Sequence, residues 1–158
     1  MSAPRTMNTQ LGRPVEILLV EDSPSDADLT MDMLISGRIS NHVSVVEDGV
    51  EAIAFLRQQG AYRDAQRPDL ILLDLNLPRK NGREVLVEIK QDPGLRDIPV
   101  VVLTSSRAEQ DLLHAHQHHA SSYVAKPVGF EQFLEVLRNI EGFWLSVVRI
   151  PGKDRDVS

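Results

Sequence analysis

Three runs without a polar member, Ile17-Leu18-Leu19-Val20, Leu70-Ile71-Leu72-Leu73 and Val100-Val101-Val102-Leu103, constrain this chain more than any other feature. A strand with one wet face alternates apolar and polar residues. A continuous apolar run reads instead as a strand covered on both faces, as in the parallel sheets of α/β proteins. Five strands are expected: EILLVE at 16–21, HVSVVE at 42–47, DLILLD at 69–74, PVVVLT at 99–104 and SSYVAK at 121–126.

Five helical patterns alternate with them. Ser23-Pro24 caps and opens the first, which runs towards Gly37 with Leu29, Met33 and Leu34 on one face. Asp48-Gly49 opens the second, where Val50, Ile53, Phe55 and Leu56 supply the apolar positions before Gly60. Asn81-Gly82 precedes the third, with Val85, Leu86 and Ile89 inward and a stop near Pro93-Gly94. The fourth spans roughly Arg107 to His118 and the fifth begins near Gly129. Right-handed crossovers then place helices on both faces of one sheet, a doubly wound (βα)5 α/β fold.

A length of 158 residues suits one domain with tails. The expected division is a loose polar leader at 1–14, a domain at 15–142, and an apolar arm and tail at 143–158. A net charge of −6, from 17 basic and 23 acidic residues, opposes a broad electrostatic grip on nucleic acid or an anionic membrane. The absence of cysteine removes disulfides, thiolate metal sites and cysteine nucleophiles. The first fifteen residues have no secretory apolar core, and no run approaches the roughly 18 apolar residues of a membrane span, so a cytoplasmic protein is expected.

In an open α/β sheet the ligand site lies beyond the carboxyl ends of the strands. There the sequence places Glu21-Asp22, Asp74, Thr104-Ser105 and Lys126-Pro127. Crowded carboxylates repel one another unless a divalent cation holds them, and an all-oxygen set suits Mg2+ or Mn2+. A carboxylate can attack a phosphoryl group to give an aspartyl phosphate. Asp74 is the expected nucleophile. Asp22, Asp74 and the backbone carbonyl of Asn76 would hold the cation, while Lys126 and Thr104 take the remaining phosphoryl oxygens.

These residues resemble the receiver domains of two-component response regulators over about residues 16–140. Glu21-Asp22 are similar to the acidic metal-binding pair, Asp74 in LLDLNLPRKNG to the phosphoacceptor, Thr104 to the switch hydroxyl, and Lys126-Pro127 to the lysine with its cis-proline bond. The spacings, 30 residues from Asp74 to Thr104 and 22 from Thr104 to Lys126, are typical of that family. The resemblance implies the flavodoxin-like strand order 2-1-3-4-5. It also implies that Asn76 lends its carbonyl to the metal, and that Tyr123 is an aromatic that swings inward on activation. Glu21, one atom longer than the aspartate many receivers use, is expected to reach the metal through water.

DGVEAIAFLRQQGAY, QRPDLILLDLNLPRKNGREVL and the ending GFWLSVVRIP resemble, more narrowly, the single-domain regulators paired with bacterial phytochromes. That resemblance implies a phosphorelay in which a sensor histidine kinase, a phytochrome, phosphorylates Asp74, and a homodimer formed through the C-terminal segment. The regulator would assist its own phosphorylation and dephosphorylation without being a turnover enzyme. With only about 30 residues after Lys126, output is expected through protein contacts.

Phe130, Phe133, Leu134, Leu137, Ile140 and Phe143 follow helical spacing and read as core. Phe143, Trp144, Leu145 and Val148 then belong to an apolar continuation that one domain cannot cover, the expected dimer surface. His114, His116, His118 and His119 lack partners that would complete a metal shell and read as helix surface. Three rival functions remain. A phosphatase with an aspartyl nucleophile expects a second acid where Asn76 stands, a nucleotide carrier expects a phosphate loop where Glu21-Asp22-Ser23-Pro24 stands, and a receiver-like binding module would lack the complete polar set.

Overall fold

The computed structural model describes residues 14–37, 40–104 and 122–139. Five parallel strands, β1 (Val15–Val20), β2 (Asn41–Val46), β3 (Leu70–Asp74), β4 (Val100–Thr104) and β5 (Ser122–Ala125), lie in the order 2-1-3-4-5. Four α-helices, α1 (Pro24–Ser36), α2 (Gly49–Leu56), α3 (Gly82–Gln91) and α4 (Phe130–Asn139), are present among the described residues. This is the flavodoxin-like arrangement expected above. The expected fourth helix, the histidines at 114–119, the leader at 1–13 and the arm carrying Phe143, Trp144, Leu145 and Val148 lie outside the described residues.

Strand side chains alternate between faces, and this period-2 geometry sorts the core into two layers. Ile17, Leu19, Leu70, Leu72, Val101 and Leu103 pack with Ala27, Met33 and Leu34 of α1 and with Phe133, Val136 and Leu137 of α4. Leu18, Val20, Ile71, Leu73, Val100 and Val102 pack with Ala52, Ile53, Phe55 and Leu56 of α2 and with Val85, Leu86 and Ile89 of α3. The central strands therefore need apolar residues at every position, which is why they carry no alternation.

The punctuation works as the sequence suggests. The Ser23 side chain accepts from the Asp26 amide, the Asp48 side chain accepts from the Glu51 amide, and Asn81 with Glu84 forms a reciprocal capping box. Two inward assignments are corrected. Leu29 is 58% exposed and Val50 39% exposed. The buried face of α1 runs through Ala27, Thr30, Met33 and Leu34, a rotation that leaves Leu29 outside, while α2 turns Ala52 to the sheet in place of Val50.

Candidate functional site

Strand register sets the height of each polar group. Val20 pairs with Leu73, Asp74 with Leu103, and Thr104 with Ala125. The residues that end or follow β1, β3, β4 and β5 thus emerge at one edge of the sheet. Main-chain bonds carry the pairing slightly further: the Glu21 amide donates to the Val46 carbonyl at 3.0 Å, and the Lys126 amide donates to the Thr104 carbonyl at 2.7 Å.

Ligand oxygens of Glu21, Asp22 and Asp74 lie within 4.8 Å of one another. Glu21 and Asp74 are buried and Asp22 is exposed, so the cluster opens to solvent on one side. The Lys126 Nζ reaches across it, donating to Glu21 Oε1 at 3.0 Å, Asp74 Oδ2 at 3.1 Å and Asp26 Oδ2 at 2.9 Å. Asp26, in the first turn of α1, was not among the residues singled out from the sequence. Its only local signal is a place three residues beyond the Ser23 cap, where an acid is common for helix-capping reasons alone.

The electrostatics follow from this crowding. Burial, reinforced by the neighbouring Asp74 carboxylate, pushes Glu21 from 4.5 up to about 7, with Lys126 opposing the rise. Burial by itself would lower the Lys126 ammonium, but its bonds to Asp26, Glu21 and Asp74 outweigh that and hold it above the usual lysine range. Among the described residues, Thr104 Oγ1 is a buried side-chain oxygen with no hydrogen-bond partner. An unpaired buried hydroxyl costs about 1–3 kcal/mol and suits a fold that leaves it for a ligand.

Asn76 turns its side chain to solvent, while its backbone N–H donates to Asp74 Oδ1 at 3.1 Å and orients the carboxylate. Behind it, Gly82 comes so close that a Cβ there would lie 2.5 Å from the Asp74 carbonyl oxygen. The Arg79 backbone is left-handed (φ 67°), and its guanidinium bonds Asp48 Oδ2 at 3.2 Å, tying the loop after β3 to the start of α2. The Lys126–Pro127 peptide is cis. Tyr123 is half-buried against the core layer of α2 and α3, and burial raises its phenol.

The arrangement offers oxygen donors for a hard divalent cation beside a buried carboxylate that an ammonium contacts. The donor set fits Mg2+ or Mn2+: it is all oxygen, acidic and open to solvent at Asp22. Among the described residues, no helix is long and apolar enough to cross a membrane.

The family model for the response regulator receiver domain matches residues 17–138. The response regulator Rcp1 of Synechocystis sp. is 46% identical over 145 residues, 92% of this chain and 99% of that protein. The bacteriophytochrome response regulator AtBRR superposes with a TM-score of 0.78 at 42% identity, covering 84% of this chain and 96% of that one. The Mn2+-bound form of Rcp1 superposes with a TM-score of 0.68 at 48% identity, covering 87% and 99% of the two chains.

Proposed function

The chain belongs to the response regulator receiver family, and from that membership and the strand-end geometry we infer that Asp74 accepts a phosphoryl group from the phosphohistidine of a sensor kinase. The observation that carries this reading is the Lys126 Nζ at 3.1 Å from Asp74 Oδ2, in an acidic cluster whose Glu21 and Asp74 are buried and whose Asp22 is open to solvent, on the strand-end edge that also bears a Thr104 hydroxyl without a partner among the described residues. Asp74 brings the nucleophilic oxygen, and the Asn76 backbone N–H sets its carboxylate orientation. Lys126 supplies positive charge for the incoming phosphoryl oxygens, and Thr104 supplies a hydroxyl that gains a partner when one of those oxygens arrives.

Glu21, Asp22 and Asp74, with the Asn76 carbonyl, would hold Mg2+ or Mn2+. A cation held by these residues would neutralise the carboxylates and the phosphoryl charge. The domain assists its own modification and the later hydrolysis of its acylphosphate, and it does not turn over a free metabolite. Asn76, standing where phosphatases with an aspartyl nucleophile carry a second acid, supports this over the rival enzyme.

The donor we propose is a phytochrome-class histidine kinase, supported by a solved relative that is a bacteriophytochrome response regulator at 42% identity. Signalling then passes through protein contacts in the cytoplasm, with Tyr123 following the Thr104 loop and a homodimer formed through Phe143, Trp144, Leu145 and Val148. Light scattering of a chain truncated after Glu141 tests the dimer; an unchanged mass sinks it.

Intact-mass spectrometry with acetyl phosphate and Mg2+ tests the core reading. A gain of one phosphoryl group, abolished by EDTA and by Asp74→Asn, is expected. No gain in the unsubstituted chain, from either acetyl phosphate or a panel of phosphorylated kinases, overturns it.

A further inference from the structure

We propose that Asp26 is a positioning residue for Lys126, the carboxylate that keeps the ammonium in place while its other partners are drawn into phosphoryl transfer. The inference rests on the reading of Asp74 as phosphoacceptor.

An ammonium has three N–H donors, and Lys126 directs them to three carboxylates, those of Glu21, Asp26 and Asp74. Two of the three partners have competing duties. Glu21 and Asp74 belong to the cluster whose oxygens converge within 4.8 Å, and Asp26 does not. Asp74 must also give up an oxygen to the reaction. In that step an Asp74 oxygen lone pair forms a P–O bond, the donor's own bond to phosphorus breaks, and the leaving group departs with that electron pair; from acetyl phosphate it departs as acetate. Lys126 then has to exchange its contact with Asp74 for one with a phosphoryl oxygen. Only a partner outside both the cation cluster and the reacting bond can hold Nζ still during that exchange, and Asp26 is the one that qualifies.

Local structure makes Asp26 a good anchor. Its amide donates to Ser23 Oγ at 3.3 Å, so the cap that starts α1 also sets the direction of this carboxylate. The positive end of the helix favours its charge. The side chains of Lys126 and Asp26 are 14% and 40% exposed, so the contact is screened in part and a moderate effect follows rather than complete loss.

The test compares the unsubstituted chain with Asp26→Asn, Asp26→Glu and, as a reference for removing the cap without the carboxylate, Ser23→Ala. Acetyl phosphate with saturating Mg2+ provides phosphorylation rates. Competitive labelling with acetic anhydride, read by peptide mass spectrometry, reports the reactivity of Lys126 separately. Asp26→Asn is expected to lower the limiting phosphorylation rate about three- to tenfold with Mg2+ affinity unchanged, and to raise Lys126 labelling in the absence of any phosphodonor. Asp26→Glu is expected to recover part of both, and Ser23→Ala to leave labelling nearer that of the unsubstituted chain than Asp26→Asn does. Unchanged Lys126 labelling in Asp26→Asn overturns the anchor whether or not Asp74 is phosphorylated. Raised labelling with an unchanged limiting rate overturns its part in transfer. No phosphoryl gain in the unsubstituted chain overturns the Asp74 reading and the transfer role with it, while the labelling result still decides whether Asp26 holds the lysine.

Discussion

The Lys126 amide donates to the Thr104 carbonyl at 2.7 Å, which locks the lysine that follows β5 to the threonine that ends β4. This main-chain bond fixes where two side chains of the site begin, before either meets a ligand. The lysine is already engaged by three carboxylates, whereas Thr104 Oγ1 is without a partner among the described residues. One residue is therefore held and the other waits.

Replacing Lys126 by Met is expected to destabilise the cation-free chain by about 3 kcal/mol, because Glu21 and Asp74 are left buried without their counter-charge. Mg2+ should stabilise this variant more than the unsubstituted chain, since the lysine no longer competes for the same oxygens. Chemical denaturation with and without Mg2+ checks both effects, and an equal Mg2+ increment in the two proteins contradicts the shared-oxygen argument.

Cation affinity should depend on pH through Glu21. Its folded value of about 7 lies above the ordinary 4.5, so between these limits the folded chain binds more protons than the unfolded one. The stability contributed by the protonated form is fully present below about 4.5 and is lost as pH rises through about 7. A cation needs the carboxylate, so binding displaces that proton and affinity climbs with pH until about 7, then levels. Calorimetric titration of Mg2+ in buffers of different ionisation enthalpy checks this. Glu21→Gln should flatten the profile, and a flat profile in the unsubstituted chain refutes the assignment.

Thr104→Val keeps the shape of the side chain and removes a buried hydroxyl that lacks a partner among the described residues. A gain of about 1 kcal/mol in the unphosphorylated chain is expected. Stabilisation by a phosphoryl analogue such as beryllofluoride should fall in the same variant. Thermal unfolding with and without the analogue reads both, and a less stable apo variant would show that the hydroxyl is satisfied.

Gly82→Ala places a methyl 2.5 Å from the Asp74 carbonyl oxygen and 2.6 Å from Leu75 Cα. Both are main-chain atoms that cannot rotate away. A loss of about 1–3 kcal/mol is expected, together with slower phosphorylation, because the atoms displaced carry the nucleophile. Gly94→Ala, whose nearest neighbour is a side-chain oxygen at 3.4 Å, is the reference and should change neither.

Much of this was legible in the residues. Unbroken apolar runs require strands covered on both faces, and the residues that end such strands must share an edge, so Asp22, Asp74, Thr104 and Lys126 could be placed together without coordinates. Helix starts were equally plain, since Ser23, Asp48 and Asn81 satisfy amides within their own turns. The facing of Leu29 and Val50 was misread because an apolar residue marks a core position only when the helix rotation brings it there.

The sequence by itself determined the strand set, the edge that bears the site and the chemical type of its groups, because these depend on local periodicity and on chain order. Tertiary structure alone decided that Lys126 bonds Asp26, 100 residues away, that Glu21 is 2% exposed and therefore titrates late, and that Thr104 Oγ1 has no partner among the described residues. Those outcomes depend on distances of a few ångströms between groups remote in the chain, and on how much water the packing between them excludes, neither of which any local pattern encodes.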